Sequence, residues 1–177
     1  SEQDRAGKDD VLAQTLQGNG VIIAQTGTTQ TNKNAVPRGI AKIGDPIPWL
    51  FEWPGMLGPI PQLGASADGV GVLNIAPERD AMAIEAIRVA TGAPSYQVKA
   101  GATGVQAVRV PGYPTITTDP YARIWLRWNK QFPTVSIMQA TAEHVQGKIV
   151  VIGLTAEGIG STIAAPTGTE YAHTPVA

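Results

Sequence analysis

The segment with the clearest potential for chemistry is a glycine-rich stretch near the carboxyl end of the chain. Residues 148–153 (KIVVIG) predict a buried strand of the parallel-sheet type, which continues into a loop containing Gly158 and Gly160. Residues 153–158 match the first half of a phosphate-binding loop, but Ile159-Gly160 stands where such a loop needs Lys and Ser or Thr. The loop is therefore predicted to be a tight turn, with contact to another small ligand and nucleotide binding as the alternatives.

The two histidines each lie close to a glutamate. Glu143-His144 falls at the end of a predicted helix, where an imidazolium would interact favourably with the helix dipole. Glu170 and His173 have the spacing of one helical turn, as in carboxylate–imidazole metal pairs. Neither pair has a third ligand or an H-E-x-x-H pattern, so both histidines are predicted to be structural or solvated.

Serines and aspartates give little support for catalysis. The chain contains no G-x-S-x-G motif, which would mark an exposed nucleophilic serine. Asp68 and Asp119 lie in turn contexts where Asp commonly caps backbone N–H groups, and capping is favoured over a carboxylate pair. We therefore predict no catalytic residue, no metal and no cofactor.

The composition excludes several classes of protein. The 177 residues include 13 basic and 14 acidic side chains, a balance that argues against a nucleic-acid partner because such a surface needs a basic excess. An apolar content of 43% argues against disorder, and the absence of cysteine excludes disulfides and zinc–thiolate sites. The chain has no uninterrupted apolar window of about 18 residues, as a bilayer span would require. Its polar start, without an initiator Met, indicates an excised segment.

The elements that position these residues are predicted to be short. Asp9 and Asp10 open a helix that ends before Gly18, and a buried strand follows. The clearest helix covers residues 81–90, with Ile84 on its apolar stripe and Glu85 and Arg88 on its exposed side. Strands are predicted at residues 21–24, 69–75, 95–98, 105–110 and 122–128, and further helical segments at 62–67 and 138–146. This alternation predicts an α/β fold, with a mixed central sheet flanked by short helices and long loop-rich excursions.

One such excursion runs from residue 26 to about residue 61. Six prolines, together with Thr, Asn and Gly, interrupt every helical pattern within it. Trp49, Phe51 and Trp53 alternate there with the spacing of a strand. They are predicted to cover the core; the alternative is a ligand lid or a surface that faces a membrane or a partner.

Several segments together resemble the type-two CHASE domain, the extracytoplasmic sensory module of bacterial cyclases, histidine kinases and related receptors. The likeness covers most of residues 9–174 and rests on the order and content of short motifs. The segments that carry it are 10–16 (DVLAQTL) with 20–23 (GVII), 59–63 (PIPQL) with 67–74 (ADGVGVLN), and 147–156 (GKIVVIGLTA) with Gly158, 165–166, 168–170 and His173. Residues 83–88 and 132–136 also fit.

The chain also departs from the family pattern. It lacks the strand–helix–strand with an aspartate-rich start that usually opens the domain. Asp80 meets Ala81 directly, where the family usually has a glycine, an arginine and another strand, and the stretch between Ser136 and Gly147 is short. These departures predict a truncated domain from which internal loops have been left out. An intact mass clearly above 18.5 kDa would support this, and a mass of 18.5 kDa would refute it.

The resemblance implies a single extracytoplasmic sensory domain over residues 1–177, with no catalysis of its own. It implies a periplasmic or extracellular location, tethering by membrane segments outside this chain, and a homodimer. It also implies output through an adenylate cyclase or a histidine kinase of a two-component system. The signal, a small molecule or a protein, is not defined by the family.

Candidate ligand contacts follow from position, at one end of the predicted sheet. They are Asn74, Arg127, Thr155, Gly158 and Gly160, although an exposed or snorkelling role remains the alternative for Arg127. Two other functions stay open. One is a soluble α/β binding protein or structural subunit. The other is a small hydrolase that uses residues 153–161, with Glu170 and His173 as acid–base groups.

Overall fold

A computed structural model describes residues 7–32, 40–73, 81–124, 132–153, 162–165 and 168–171. The chain divides into two compact units, Ser1–Ile124 and Trp125–Ala177. None of the helices in the described ranges combines the length and the hydropathy needed to cross a bilayer.

The first unit begins with the predicted helix–turn–strand. Helix α1 spans Lys8–Leu16 and carries Asp9 and Asp10 in its first turn, where carboxylates favour the positive end of the helix dipole. The helix is followed by a turn in which Gly18 and Gly20 have φ values of 72° and 69°, a backbone conformation that residues other than glycine rarely adopt. Strand β1 then spans Ile22–Thr28, longer than predicted and half-buried along most of its length.

Strand β1 is the centre of a three-stranded mixed sheet. Strand β3 (Gly55–Leu57) pairs with its carboxyl-terminal half in antiparallel orientation, and β4 (Gly69–Val72) runs parallel to its first half. Helix α2 (Pro61–Ser66), with proline in its first turn, leads into β4 as predicted. The order of the sheet is β3-β1-β4.

Helix α3 (Ala81–Ala90) packs against β4 and coincides with the predicted helix. The glycines of β4 allow this close approach, because a Cβ at Gly71 would lie 2.6 Å from Cα of Met82. Gly92, with a φ of 65°, follows the helix end as predicted. The resulting α/β contact places Glu85, in the second turn of α3, over Gly69 at the beginning of β4.

A second mixed sheet has the order β2-β5-β6-β7. Its strands are β2 (Ala41–Ile43), β5 (Gln97–Gly101), β6 (Gly104–Arg109) and β7 (Ile116–Thr117). Strand β2 runs parallel to β5, whereas β5, β6 and β7 are antiparallel neighbours. The main hydrophobic cluster comprises Ile84, Ala93, Val98, Val105, Val108 and Val110, so α3 and this sheet share one core. The α/β class is thus confirmed, with the strands distributed over two mixed sheets in this unit.

The excursion between residues 26 and 61 contains more regular structure than predicted. It holds the end of β1, strands β2 and β3, and a 3-10 turn at Ile47–Trp49. The prediction of a strand over residues 122–128 is wrong for its described part, since residues 122–124 are irregular and Ala122 has a φ of 63°. Residues 125–131 lie outside the described ranges.

In the second unit, the predicted helix over residues 138–146 is divided. A 3-10 turn spans Ile137–Gln139, and α4 spans Ala142–Val145. Strands β8 (Thr162–Ala165) and β9 (Gly168–Tyr171) form an antiparallel hairpin.

The prediction of a buried strand at residues 148–153 is wrong. This segment forms no strand, and its four apolar side chains, from Ile149 to Ile152, are 47–77% exposed. An apolar run becomes a buried strand only when another strand accepts its hydrogen bonds and another layer covers it. Among the described residues, no strand pairs with this segment.

Candidate functional site

The ligand contacts predicted from the sequence all lie outside the described residues. They are Asn74, Arg127, Thr155, Gly158 and Gly160, and they stay predictions. The glycine-rich loop at residues 154–161 and His173 also fall outside these ranges. The described residues instead contain two clefts in the first unit, each of about 450 Å³.

The remaining histidine has a structural contact. Nδ1 of His144 accepts a hydrogen bond from the backbone N–H of Thr141 at 3.2 Å and lies 2.7 Å from the Thr141 hydroxyl, forming a capping box at the start of α4. His144 therefore lies in the first turn of a short helix rather than at the end of a long one. Glu170 belongs to strand β9, so the helical one-turn spacing assumed for Glu170 and His173 does not apply to it.

The capping roles predicted for the two aspartates are confirmed. Oδ2 of Asp68 accepts hydrogen bonds from the N–H groups of Gly20 and Val21, at 2.8 and 3.3 Å, and so holds the turn before β1 against the start of β4. Oδ1 of Asp119 accepts the N–H groups of Tyr121 and Arg123, both at 2.9 Å. The two aspartates thus act in separate turns.

We call the first cleft the ionic cleft. It lies where α3 and β4 approach the beginnings of β2 and β5. Its lining residues are Ile40, Ala41, Asp68, Glu85, Arg88, Pro94, Ser95 and Tyr96. The cleft therefore borders both sheets of the first unit.

The centre of the ionic cleft is a two-pronged ion pair between Glu85 and Arg88. Nε of Arg88 donates to Oε2 of Glu85 at 2.7 Å, and Nη2 donates to Oε1 at 2.8 Å. The same guanidinium donates to the backbone carbonyls of Asp68 and Ala93, at 2.6 and 2.8 Å. Four of its five N–H donors are engaged, so Arg88 ties together α3, the start of β4 and the segment before β5.

The placement of this pair corrects the sequence prediction. Glu85 and Arg88 were expected on the exposed side of α3, but Glu85 is only 3% exposed and the Arg88 side chain only 15%. Gly69 leaves the space for the carboxylate, since a Cβ there would lie 2.7 Å from Oε1 of Glu85. The apolar periodicity of α3 alone placed both charges in solvent. The glycines of the facing strand β4 were the feature of the sequence that could have indicated a buried ion pair.

The ion pair changes the titration of its own guanidinium and of a nearby phenol. The hydrogen bond to Glu85 raises the pKa of Arg88 despite the opposing effect of burial, so the cation is firmly held. Burial raises the pKa of Tyr96, and the negative charge of Glu85 adds to this effect. The charged groups of this cleft are therefore engaged with the protein itself.

We call the second cleft the indole cleft. It is open to solvent beside the end of β1 and strand β3, and none of the described side chains that line it carries a charge. The lining residues are Thr26, Gly27, Thr28, Thr29, Gln30, Asn32, Trp53 and Leu57. This surface combines hydroxyl and amide groups with an indole and a leucine side chain.

The indole lies against the backbone of β1. A Cβ at Gly27 would be within 2.6 Å of Cγ, Cδ1 and Cδ2 of Trp53, so the five-membered ring covers the Cα of Gly27. Phe51 packs against Trp53 at a ring distance of 4.8 Å and an interplanar angle of 71°. The glycine in β1 is thus what allows Trp53 to reach the sheet.

The aromatic series predicted to act together is divided between two places. Trp49 packs against the hydrophobic core and contacts Tyr121 with the rings 6.4 Å apart, which confirms the core-covering role for this residue. Phe51 and Trp53 lie instead at the indole cleft. The sequence analysis missed this cleft; its signal was the polar stretch TGTTQT that follows the apolar start of β1.

The described residues hold no cluster of three or more His, Cys, Asp or Glu side chains able to bind a metal ion. Comparison with known proteins found no match among curated proteins or solved structures. The family model of the CHASE2 domain, an extracellular sensory domain of signalling receptors, matches residues 1–176. Because this match spans essentially the whole chain, the chain belongs to the CHASE2 family.

Proposed function

We propose that this chain is the extracytoplasmic sensory domain of a bacterial transmembrane receptor. In this proposal, it passes a ligand or mechanical input to a cytoplasmic catalytic domain, either an adenylate cyclase or a histidine kinase of a two-component system. The observation that carries the proposal is the family match over residues 1–176. The domain itself senses and performs no catalysis.

The arrangement of the first unit supports a sensory role. Helix α3 packs on β4 of the first sheet and shares the core of the second sheet, and Arg88 joins the approaches to both sheets through backbone carbonyls on either side of α3. A shift of one sheet relative to the other would break these hydrogen bonds together, as expected for an element with two discrete arrangements. A ligand that favours one arrangement would change the population of the other.

The receptor context is part of the proposal. We place the domain on the periplasmic or extracellular side, tethered by membrane segments outside this chain, and acting as a homodimer. A dimer provides a simple route for the signal, because a change within each domain alters how two membrane segments lie beside each other.

Sequencing the complete reading frame on both sides of this segment tests the proposal. The expected result is a membrane helix before the chain, with membrane helices and a kinase or cyclase domain after it. A reading frame that encodes neither a membrane segment nor an output domain would overturn the proposal in favour of a soluble binding protein or structural subunit.

A further inference from the structure

We infer that the indole cleft binds a neutral saccharide, in which case the signal sensed by this domain is a sugar or a sugar-bearing polymer. For its biological meaning the inference rests on the proposed sensory function. The binding itself is a property of the first unit and is measured independently of any receptor. None of the described residues that line this cleft was predicted as a ligand contact, and the family match does not assign a ligand.

The first argument is the neutral chemistry of the described part of the cleft wall. None of the eight described residues that line it is an acid or a base. A charged ligand entering such a site would lose hydration without gaining a counter-charge, which is unfavourable. This described part of the wall therefore favours a neutral ligand. The ionic cleft differs, but its charges are already paired within the protein.

The second argument is the supply of free hydrogen-bonding groups. Within the described part of the chain, no hydrogen bond engages the hydroxyl of Thr29 or the side-chain amide of Gln30. Hydroxyls and amides both donate and accept, which matches the hydroxyl groups of a sugar. Asn32 has a different role, since its Oδ1 accepts the N–H of Met56 at 2.7 Å and fixes the rim to β3.

The third argument is the pairing of these groups with an aromatic ring. The indole of Trp53 is held in place by Gly27 on the sheet and by Phe51 at its side. A rigid ring of this kind offers an apolar surface to the C–H faces of a pyranose while its neighbours bind the hydroxyls. A volume of about 450 Å³ also lies within the range of small-molecule sites. Polar edges with an apolar face are the distinguishing chemistry of saccharides.

Saturation-transfer NMR and titration of the purified chain test the inference with maltose, N-acetylglucosamine, glucose 6-phosphate and adenosine as probes. We expect saturation of the sugar C–H protons and saturable binding of the two neutral sugars. Glucose 6-phosphate should bind about tenfold more weakly, a difference equivalent to about 1.4 kcal/mol. Tighter binding of adenosine or of the phosphate ester would overturn the saccharide assignment, as would the absence of sugar binding.

Three variants locate the site. Trp53→Ala removes the ring, and we expect it to raise the dissociation constant at least about tenfold, or about 1.4 kcal/mol. Thr29→Val removes one hydroxyl while keeping the branched shape, and Asn32→Asp keeps the acceptor for Met56 while adding a charge; each should weaken binding severalfold without unfolding the chain. Tyr113→Ala, at an exposed aromatic residue that does not line the cleft, is the matched control and should leave binding unchanged.

The outcomes distinguish this inference from the proposed function. Unchanged sugar binding in both Thr29→Val and Asn32→Asp would overturn the site even if Trp53→Ala failed to fold. A receptor gene together with a chain that binds no sugar would overturn the ligand assignment alone. Sugar binding by a chain whose gene encodes no membrane segment would leave the site standing and overturn the receptor.

Discussion

The two clefts of the first unit are equal in volume but opposite in chemistry. The ionic cleft contains Asp68, Glu85 and Arg88, whose polar atoms are directed mainly at the protein's own backbone and at one another. None of the described residues lining the indole cleft carries a charge, and the hydroxyl of Thr29 and the side-chain amide of Gln30 have no hydrogen-bond partner among the described residues. The cleft that looks more reactive by residue type is thus the one whose groups are already engaged.

This contrast separates residues that hold the fold from residues able to bind. A buried ion pair is stable only when both partners are present and well hydrogen-bonded, so a ligand that separated the two charges would bind at a large cost in free energy. Neutral hydroxyls and amides at an open surface are hydrated at little cost in free energy, and a sugar hydroxyl can replace the water bound to them. The predictions below test this separation, beginning with the largest expected effect.

Replacing Glu85 by Ala should lower the free energy of unfolding by about 3 kcal/mol, at the low end for breaking a buried ion pair from one side. The variant leaves Arg88 without its carboxylate and deprives the N–H of Val70 of its acceptor at 3.3 Å. Urea denaturation measures the change. Glu143→Ala, at an exposed glutamate of α4, is the control and should change stability by less than about 0.5 kcal/mol.

An equal, small effect of the two variants would contradict the structural role of the ionic cleft. A loss of stability accompanied by normal sugar binding in the folded fraction would sharpen the contrast, since it would show that the two clefts act separately. Binding that failed in folded Glu85→Ala would instead couple them and break the separation.

Local sequence patterns predicted all three helices of the first unit and its strands β1, β4, β5 and β6, because these elements carry local signals; the short strands β2, β3 and β7 were not predicted. Helix α3 has an apolar stripe and a terminal glycine, and the turn after α1 has glycines that adopt positive φ values. Predictions failed where long-range partners decide. Glu85 was placed in solvent because its burial depends on the space that Gly69 leaves on a neighbouring strand and on the ion pair with Arg88. Residues 148–153 were placed in a sheet because an apolar run does not specify whether a partner strand exists.

The candidate site shows the same limit. Trp53 and the polar stretch that begins in the second half of β1 are far apart in sequence, and they meet only because β3 pairs with β1 in the register that sets Leu57 opposite Thr26. Spacing along the chain carries no information on that register. The cleft was therefore invisible to motif analysis, which singled out the glycine-rich loop instead.

The indole cleft depends on Gly27, and this gives the second prediction. Gly27→Ala should destabilise the chain by about 2 kcal/mol, as overpacking typically does, because its Cβ occupies the position of the Trp53 ring. Sugar binding should weaken along with it. In a double-mutant cycle, Gly27→Ala with Trp53→Ala should cost less than the sum of the single changes, since the clash is then absent. Strict additivity would show that the ring does not rest on Gly27.

The third prediction concerns the phenol in the ionic cleft. Because burial and then Glu85 raise the pKa of Tyr96 above its ordinary value of 10.0, the folded chain keeps this proton at a pH where the unfolded chain has begun to lose it. Stability should therefore fall as the pH rises from about 10 through the folded-state value, and the fall should be smaller in Tyr96→Phe. Ultraviolet titration should show one late-ionising tyrosine that is absent from the variant; an unchanged titration curve would contradict the burial of this phenol.

The fourth prediction, with the smallest expected effect, concerns Asp119, a charged side chain near the surface whose carboxylate also binds the protein's own backbone. Desolvation opposes ionisation of Asp119, but the backbone N–H and guanidinium of Arg123, with the N–H of Tyr121, lower the pKa of its carboxyl below 3.8. The carboxylate thus favours the folded turn at every pH above its ordinary pKa, and this contribution is lost as the pH falls through the lowered folded-state value. Carboxyl NMR titration should find the Asp119 midpoint below 3.8, and the Asp119→Asn variant should lose less stability on acidification. A midpoint at or above 3.8 would mean that the carboxylate is directed at solvent rather than at its own turn. The structural role assigned to charged groups would then hold only for the ionic cleft.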